Sequence, residues 1–336
     1  GGSIVTENAS GADITLTGEG SDDRFGYSLS IDDFNDDGSS DLVVGAIEYN
    51  SFQGRVYIFN GGSIVTENAS GADITLTGEG TGDYFGHYMV SGDIDNDGQA
   101  DLVVSAERYG SNQGRAYVFY GDNLTSENAS DADVIITGEA SGDFFSNGMN
   151  IGDFNSDGRD DIIASGYSHN SNTGRVYVFN GGSITTENAS GADLKIDGEN
   201  IDDRIGRNAI GVGDINADGT TDFTFGSNQF NSSQGRVYMY TTNDYQITGE
   251  GTDSFLGSSL ASGDFNNDGK TDLAVGAEGW NDNDTGRVYI FYGGNKTSTN
   301  ASGADVILTG ESMGDRFGDS LTTGDLNSDG TDDLVV

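Results

Sequence analysis

The sequence predicts an all-β fold made of repeated four-stranded antiparallel units. Three observations carry that prediction. First, the segment at 1–20 recurs letter for letter at 61–80, and a close relative occupies 181–200. Second, a nine-residue acidic string, Asp-x-Asn/Asp-x-Asp-Gly-x-x-Asp, begins at Asp33, Asp93, Asp153, Asp214, Asp264 and Asp325, at intervals of 60, 60, 61, 50 and 61 residues. Third, the pieces around each string are short, rich in β-branched and aromatic residues, and separated by Gly, Asn and Asp, which is strand-and-turn chemistry. No amphipathic 3.6-residue pattern extends over ten residues, and the Thr-Glu-Asn-Ala-Ser stretches predict one short helical turn at most.

Each unit contains four pieces. The first follows a Phe-Gly pair, as in FGYSLSI at 25–31. The second follows the acidic string, as in DLVVGA at 41–46. The third follows a Gly-Arg pair, as in GRVYIF at 54–59, and the fourth reads DITLTGE, as at 13–19. Four-stranded antiparallel units repeated about every 60 residues predict a β-propeller. A β-helix is the runner-up, but its repeats are shorter. The absence of Pro suits ladders that use every backbone N–H. The whole chain, 1–336, reads as one domain, with repeats at about 13–60, 73–120, 133–180, 193–240, 244–292 and 305–336. The third piece occurs five times and the others six, so a segment of a longer protein is expected. With six blades, the last would join strands from both ends of the chain; seven blades would leave more missing.

The acidic strings are candidate metal loops. Calcium takes six to eight hard oxygens in a flexible shell. Oxygens at positions 1, 3 and 5 can converge if the chain turns sharply, and Gly at position 6 permits the turn. Position 7 offers its backbone carbonyl, and Asp at position 9 closes the shell. The candidate ligands are Asp33, Asn35, Asp37, Ser39 and Asp41; Asp93, Asp95, Asp97, Gln99 and Asp101; Asp153, Asn155, Asp157, Arg159 and Asp161; Asp214, Asn216, Asp218, Thr220 and Asp222; Asp264, Asn266, Asp268, Lys270 and Asp272; and Asp325, Asn327, Asp329, Thr331 and Asp333. An EF-hand is excluded because position 12 is Val44, inside an apolar strand. About one Ca2+ per repeat is expected. Magnesium fits less well, since its strict octahedron suits a flexible all-protein cage poorly. A metal-free acidic turn is the bland alternative, but crowding three or four carboxylates into nine residues is unfavourable without a cation.

In the order Phe-Gly, acidic loop, Val-Gly-Ala, Gly-Arg-Val-Tyr-x-Phe, the chain resembles the FG-GAP repeat of integrin α-subunit propellers and their bacterial and archaeal relatives. The carrying residues are Phe25-Gly26, Phe85-Gly86 and Phe317-Gly318, with Gly45-Ala46 and Gly276-Ala277. The first element drifts to Phe145-Ser146, Ile205-Gly206 and Leu256-Gly257, and no copy keeps the Pro. The resemblance implies a propeller with calcium loops on one face and leaves the ligand open.

Strand alternation places the connection between third and fourth strands on the calcium face. The opposite face carries Tyr49, Tyr109, His169, Phe230 and Trp280, each eight residues after a ninth-position Asp. A ring of aromatics is a candidate ligand face for a glycan, although packing over a seam explains it more simply. Carboxylates at Asp23, Asp83, Asp143, Asp203 and Asp315, and at Glu19, Glu79, Glu139, Glu199, Glu250 and Glu311, recur in nearly every unit. A catalytic pair is normally unique. These are therefore read as turn caps or partners of the repeated Arg55, Arg115, Arg175, Arg236 and Arg287, and no enzyme is expected. Asn8, Asn68, Asn128, Asn188 and Asn300 begin Asn-Ala-Ser sequons, open to glycosylation in a secreted chain. His87 and His169 lack a partner pattern and are assigned to the surface.

Composition fixes the remaining expectations. The chain has 14 Lys+Arg against 56 Asp+Glu, a net charge of −42, which argues against nucleic acid as a partner. It has no Cys, hence no disulfide framework. Its longest apolar runs are about five residues, far short of a membrane span. The expected role is an extracellular or cell-surface calcium-binding module in adhesion or structural assembly. Its partners would be a protein or glycan ligand or neighbouring copies, with an open blade able to take a strand from one. The alternatives are a lectin-like propeller or the propeller of a secreted hydrolase.

Overall fold

The computed structural model describes residues 12–207, 210–241, 244–294 and 297–336, and side chains there except at 282 and 283. Five units each form a sheet of four antiparallel strands. In unit one these are Phe25–Asp32, Asp41–Ala46, Arg55–Phe59 and Ile74–Thr77. In unit three they are Phe145–Gly152, Asp161–Gly166, Arg175–Phe179 and Leu194–Asp197. Units two, four and five repeat the order. Unit six shows Thr322–Gly324 paired with Asp333–Val335. The strand Leu16–Thr17 precedes unit one and corresponds to a fourth strand.

The second and third strands are almost wholly buried, because each is covered on both faces by neighbouring units. The first strands line the axis, and hydrogen bonds between units tie them together. Asn150 Nδ2 donates to the Ile210 carbonyl at 2.9 Å, and Thr323 Oγ1 to that of Ser262 at 2.9 Å. The fold is the expected β-propeller.

The repeated Phe-Gly and Gly-Arg pairs meet at the seams. Phe85 and Phe145 are fully buried and stand edge-on against Tyr117 and Tyr177. Gly114 of unit two adopts φ +85, and a Cβ there would lie 2.2 Å from the Phe145 carbonyl oxygen of unit three, so only glycine lets the two units approach.

Two local features were not expected. The connections between second and third strands contain three successive left-handed residues: Asn50, Ser51 and Phe52 (φ 48, 61 and 63), and likewise Asn170, Ser171 and Asn172. Asn, Ser and Gly dominate these positions because they tolerate that region best. The Thr-Glu-Asn-Ala-Ser stretches form the single helical turn expected of them, as at Ala69–Gly71, but a two-residue strand such as Glu67–Asn68 precedes it, and that strand was not expected. Each two-residue strand adds in parallel to the outer edge of the preceding unit's fourth strand, pairing Thr17 with Asn68, Thr77 with Asn128, Thr137 with Asn188 and Thr248 with Asn300. It is a hook from one unit onto the last.

Candidate metal loops

All six acidic loops fold alike. The first Asp accepts two backbone N–H bonds: Asp33 from Asp37 (3.1 Å) and Gly38 (2.8 Å), and Asp325 from Asp329 (3.0 Å) and Gly330 (2.9 Å). The chain turns through left-handed residues at positions 4 and 6, Asp36 (φ 53) and Gly38 (φ 85) in the first copy. The ninth Asp is the deepest. Asp41, Asp101, Asp161 and Asp272 are fully buried, and Asp222 nearly so.

Four of the ninth aspartates, Asp41, Asp101, Asp161 and Asp272, tie three segments. Asp41 Oδ2 accepts from Phe34 N at 3.1 Å and Oδ1 from Gly61 N at 2.6 Å. Gly121, Gly181 and Gly293 repeat the second bond to Asp101, Asp161 and Asp272. Those glycines open the connection to the fourth strand, which therefore lies on the loop face as expected. Burial pushes the carboxyls of Asp101 and Asp222 up to about 6, against the pull of the backbone N–H donors, and raises Asp41, Asp161 and Asp272 in the same direction.

The donor set fits a hard divalent cation. Carboxylate oxygens of Asp93, Asp95 and Asp101 lie within 4.8 Å of one another. Asn266 Oδ1, the third-position oxygen of the fifth loop, is buried with no hydrogen-bond partner. At position 5, Asp97 Oδ1 accepts from Gln99 N at 2.8 Å. Ser39, Gln99, Arg159, Thr220, Lys270 and Thr331 donate their backbone N–H to the fifth-position Asp, leaving the carbonyl to serve a cation.

Neighbouring loops are also clasped to each other. Asp93 N donates to Asp160 Oδ2 and Asp160 N to the Asp93 carbonyl, both at 3.0 Å. Asp264 and Asp332 repeat the pair at 2.8 and 3.1 Å. A first-position ligand of one unit is thus fixed by the residue beside a ninth-position ligand of the next.

On the opposite face the aromatic positions are spoken for. Arg55 lies over Tyr49 at 3.9 Å, Arg115 over Tyr109 at 3.7 Å, Arg236 over Phe230 at 3.7 Å and Arg287 over Trp280 at 3.3 Å. The repeated arginines reach the glutamate that follows the preceding fourth strand: Arg115 to Glu79 at 2.6 Å, Arg287 to Glu250 at 3.0 Å and also Arg175, which has no ring beneath it, to Glu139 at 2.9 Å. The repeated glutamates are seam partners, the repeated aspartates Asp143, Asp203 and Asp315 cap their own turns, and one face of each of these four rings is already covered. Asn68, Asn188 and Asn300 spend their Nδ2, the atom a glycan would take, on the carbonyls of Gly18, Gly138 and Gly249. Asn128 is exposed, and Asn8 lies outside the described residues.

The histidines correct the surface assignment. His169 Nδ1 meets Asp143 Oδ2 at 3.0 Å, and His87 Nε2 meets the Tyr27 hydroxyl at 3.2 Å and Glu107 at 3.7 Å. Their side chains are 15% and 13% exposed. His87 packs near the axis beside Glu107 and Asn147, where residue types change from unit to unit. Repeat-based reading had no signal for such positions.

The comparisons agree with this architecture. The FG-GAP repeat model matches residues 25–59, 85–119, 147–179 and 256–291. Four of the six units thus match the FG-GAP repeat, and the chain is a β-propeller with integrin α-subunits among its relatives. Unit four, unmatched, carries Ile205-Gly206 and Gly226-Ser227 where the motif has Phe-Gly and Gly-Ala. Integrin alpha-5 of Xenopus laevis is 33% identical over 171 residues, 48% of this chain and 15% of that protein. Integrin alpha-PS2 of Drosophila melanogaster is 30% identical, over 48% and 12%. Phosphatidylinositol-glycan-specific phospholipase D of Rattus norvegicus is 35% identical over 127 residues, 34% and 15%. The chain thus spans a small part of each relative. The solved exotype rhamnogalacturonan lyase YesX aligns over 79% of this chain and 44% of its own at 12% identity, with a TM-score of 0.29 that bears no weight.

Proposed function

We propose that this chain is a non-catalytic, calcium-stabilised propeller of an extracellular or surface protein, acting in adhesion or assembly. The observation that carries the reading is the convergence of Asp93, Asp95 and Asp101 in a loop whose first residue is clasped to the next unit. A cation held there relieves carboxylate repulsion and stiffens two neighbouring units at once. Calcium is favoured over magnesium because the loop offers many protein oxygens from flexible backbone, and affinities of ~0.1–1 mM are typical of extracellular modules. Similarity to integrin α-subunits supports a protein ligand or a neighbouring copy as partner. No described helix is long and apolar enough to cross a membrane. Similarity to the phospholipase D favours, as a second reading, the propeller part of a secreted hydrolase. Calorimetric titration with calcium and with magnesium tests the metal assignment. Saturable calcium binding that Asp93→Asn with Asp101→Asn weakens supports it, and no heat at 5 mM calcium overturns it.

A further inference from the structure

The units repeat closely, yet two positions near the axis do not repeat. The residue after each Phe-Gly-like pair is Tyr27, His87, Asn147, Arg207, Ser258 and Asp319 in turn, six types in six units. The residue after the second strand is Ile47, Glu107, Tyr167, Asn228 and Glu278 in turn. Positions close by are constant, since each second strand opens on the ninth Asp and each third strand opens on Arg. First strands line the axis and run from the Phe-Gly-like pair towards the acidic loop, so both variable positions lie at the end opposite the loops. A role in seam packing is the same in every unit and keeps the same residue. Different side chains around one axis suit a molecule that lacks the symmetry of the ring.

The two halves of this set differ. In units one to three the side chains contact one another. The Tyr27 hydroxyl meets His87 Nε2 at 3.2 Å, His87 stands 3.7 Å from Glu107, and Asn147 Nδ2 donates to Glu107 Oε2 at 2.6 Å. In units four to six they face a cavity of about 460 Å³. Its polar lining includes Arg207 and Asn228 of unit four, Glu278 of unit five and Asp319 of unit six.

These groups lack counterparts. Arg207 lies over the Tyr167 ring at 5.4 Å and has no ion pair and no side-chain hydrogen bond among the described residues. A guanidinium presents a planar fork to a carboxylate. Asn228 Oδ1 is buried with no hydrogen-bond partner, an acceptor that calls for an N–H or O–H donor. Glu278 and Asp319 set two carboxyls side by side across the seam of units five and six. Burial first, and then the Asp319 carboxyl, push Glu278 up. Arg316 approaches Glu278 at 3.8 Å, but it is largely exposed and shared with Asp284 at 3.9 Å. The carboxyl pair therefore has room for a further cation.

We propose that this axial cavity of units four to six binds a small zwitterion, a free α-amino acid, with its carboxylate on Arg207 and its ammonium among Asn228, Glu278 and Asp319. A simple anion leaves the two carboxyls unanswered, a metal cation faces Arg207, and a neutral sugar leaves Arg207 without a counter-charge. The site uses none of the acidic loops, so it stands or falls separately from the metal and adhesion readings.

The test is a thermal-shift screen of the full chain, in calcium, with each standard amino acid singly at about 10 mM, followed by calorimetric titration of the best. Acetate and methylammonium, which carry one charge each, and galacturonate, an acidic sugar, are comparison probes. The expected result is saturable binding of an amino acid at least about tenfold tighter than that of any comparison probe. Arg207→Gln and Glu278→Gln should each weaken it about tenfold or more, with the ligand-free Tm unchanged. Should a variant fail to fold, the comparison of probes on the unaltered chain still decides. No amino acid bound in the screen overturns the inference. Acetate or galacturonate bound as tightly as the amino acid overturns it in favour of an anion or acidic-sugar site. Unchanged affinity in both folded variants overturns it by placing the binding elsewhere.

Discussion

Equivalent strands meet opposite fates at two seams. At the seam of units two and three, Met149 and Ile151 of a first strand are 0% and 8% exposed, packed against Ile94, Val103 and Val118 of the preceding unit. At the start of the ring, Leu29 and Ile31 hold the same positions and are 61% and 64% exposed. The sequence alternation is the same in both. The difference is the neighbour: unit six presents Leu326 and Val335, 57% and 43% exposed, and no described third strand stands beyond them. A propeller unit does not own a core; it owns half of two seams, and burial measures whether both are closed. The loop face repeats the contrast. Asp93 is clasped by Asp160 of the next unit, whereas Asp33 N turns to Asp32 Oδ1 of its own chain neighbour at 3.0 Å.

Removing divalent cations should disturb this contrast most. At calcium tenfold above a dissociation constant, each occupied loop stabilises by about 1.4 kcal/mol. Six loops sum to several kcal/mol, read as a chelator-induced fall in Tm. Amide exchange at the seam of units two and three should then approach that around Leu29; an unchanged Tm refutes the metal assignment.

The next largest effect separates the seams directly. Met149→Ala removes a fully buried side chain and should cost about 2–5 kcal/mol, whereas Leu29→Ala should cost under about 0.5 kcal/mol. Urea unfolding measures both, and equal losses would mean that the first seam is closed in solution.

The buried ninth aspartates set a pH dependence. Asp101 and Asp222 titrate near 6 when folded, above their unfolded range, so the metal-free fold holds their protons more tightly. Its stability should therefore fall as pH rises from about 4 to 6 through these groups. With calcium bound the carboxylates are held charged, and this contribution should reverse sign. Melting curves in chelator and in calcium at pH 5 and 7 test it.

The smallest expected effect is local. Ala217 occupies position 4 of the fourth loop at φ 60, where the second loop has Asn96. Ala217→Asn should gain about 0.5–1 kcal/mol by relieving left-handed strain; a loss of stability would contradict the geometry of that loop.

Much of this was legible in the sequence because repetition filters out accident. Six copies of the acidic string gave the loops, and the Gly-Arg and Thr-Gly-Glu pairs gave the seam ion pairs. The same filter hid what does not repeat, such as His87 with Glu107 near the axis. It also hid the hook, because Glu67–Asn68 is a two-residue strand whose partner, Leu16–Thr17, belongs to another unit. Short segments have no periodicity of their own. The signals that could have found it were the exact copy at 1–20 and the missing ten residues at 241–250.

That missing connection also has a mechanical meaning. Four junctions described here carry an outer strap that must be sheared along its length before the units part. The junction of units three and four has none among the described residues, where Leu194–Asp197 is largely exposed. Under a pulling load, resistance is therefore uneven around the ring, and this unstrapped line is where the first opening should start.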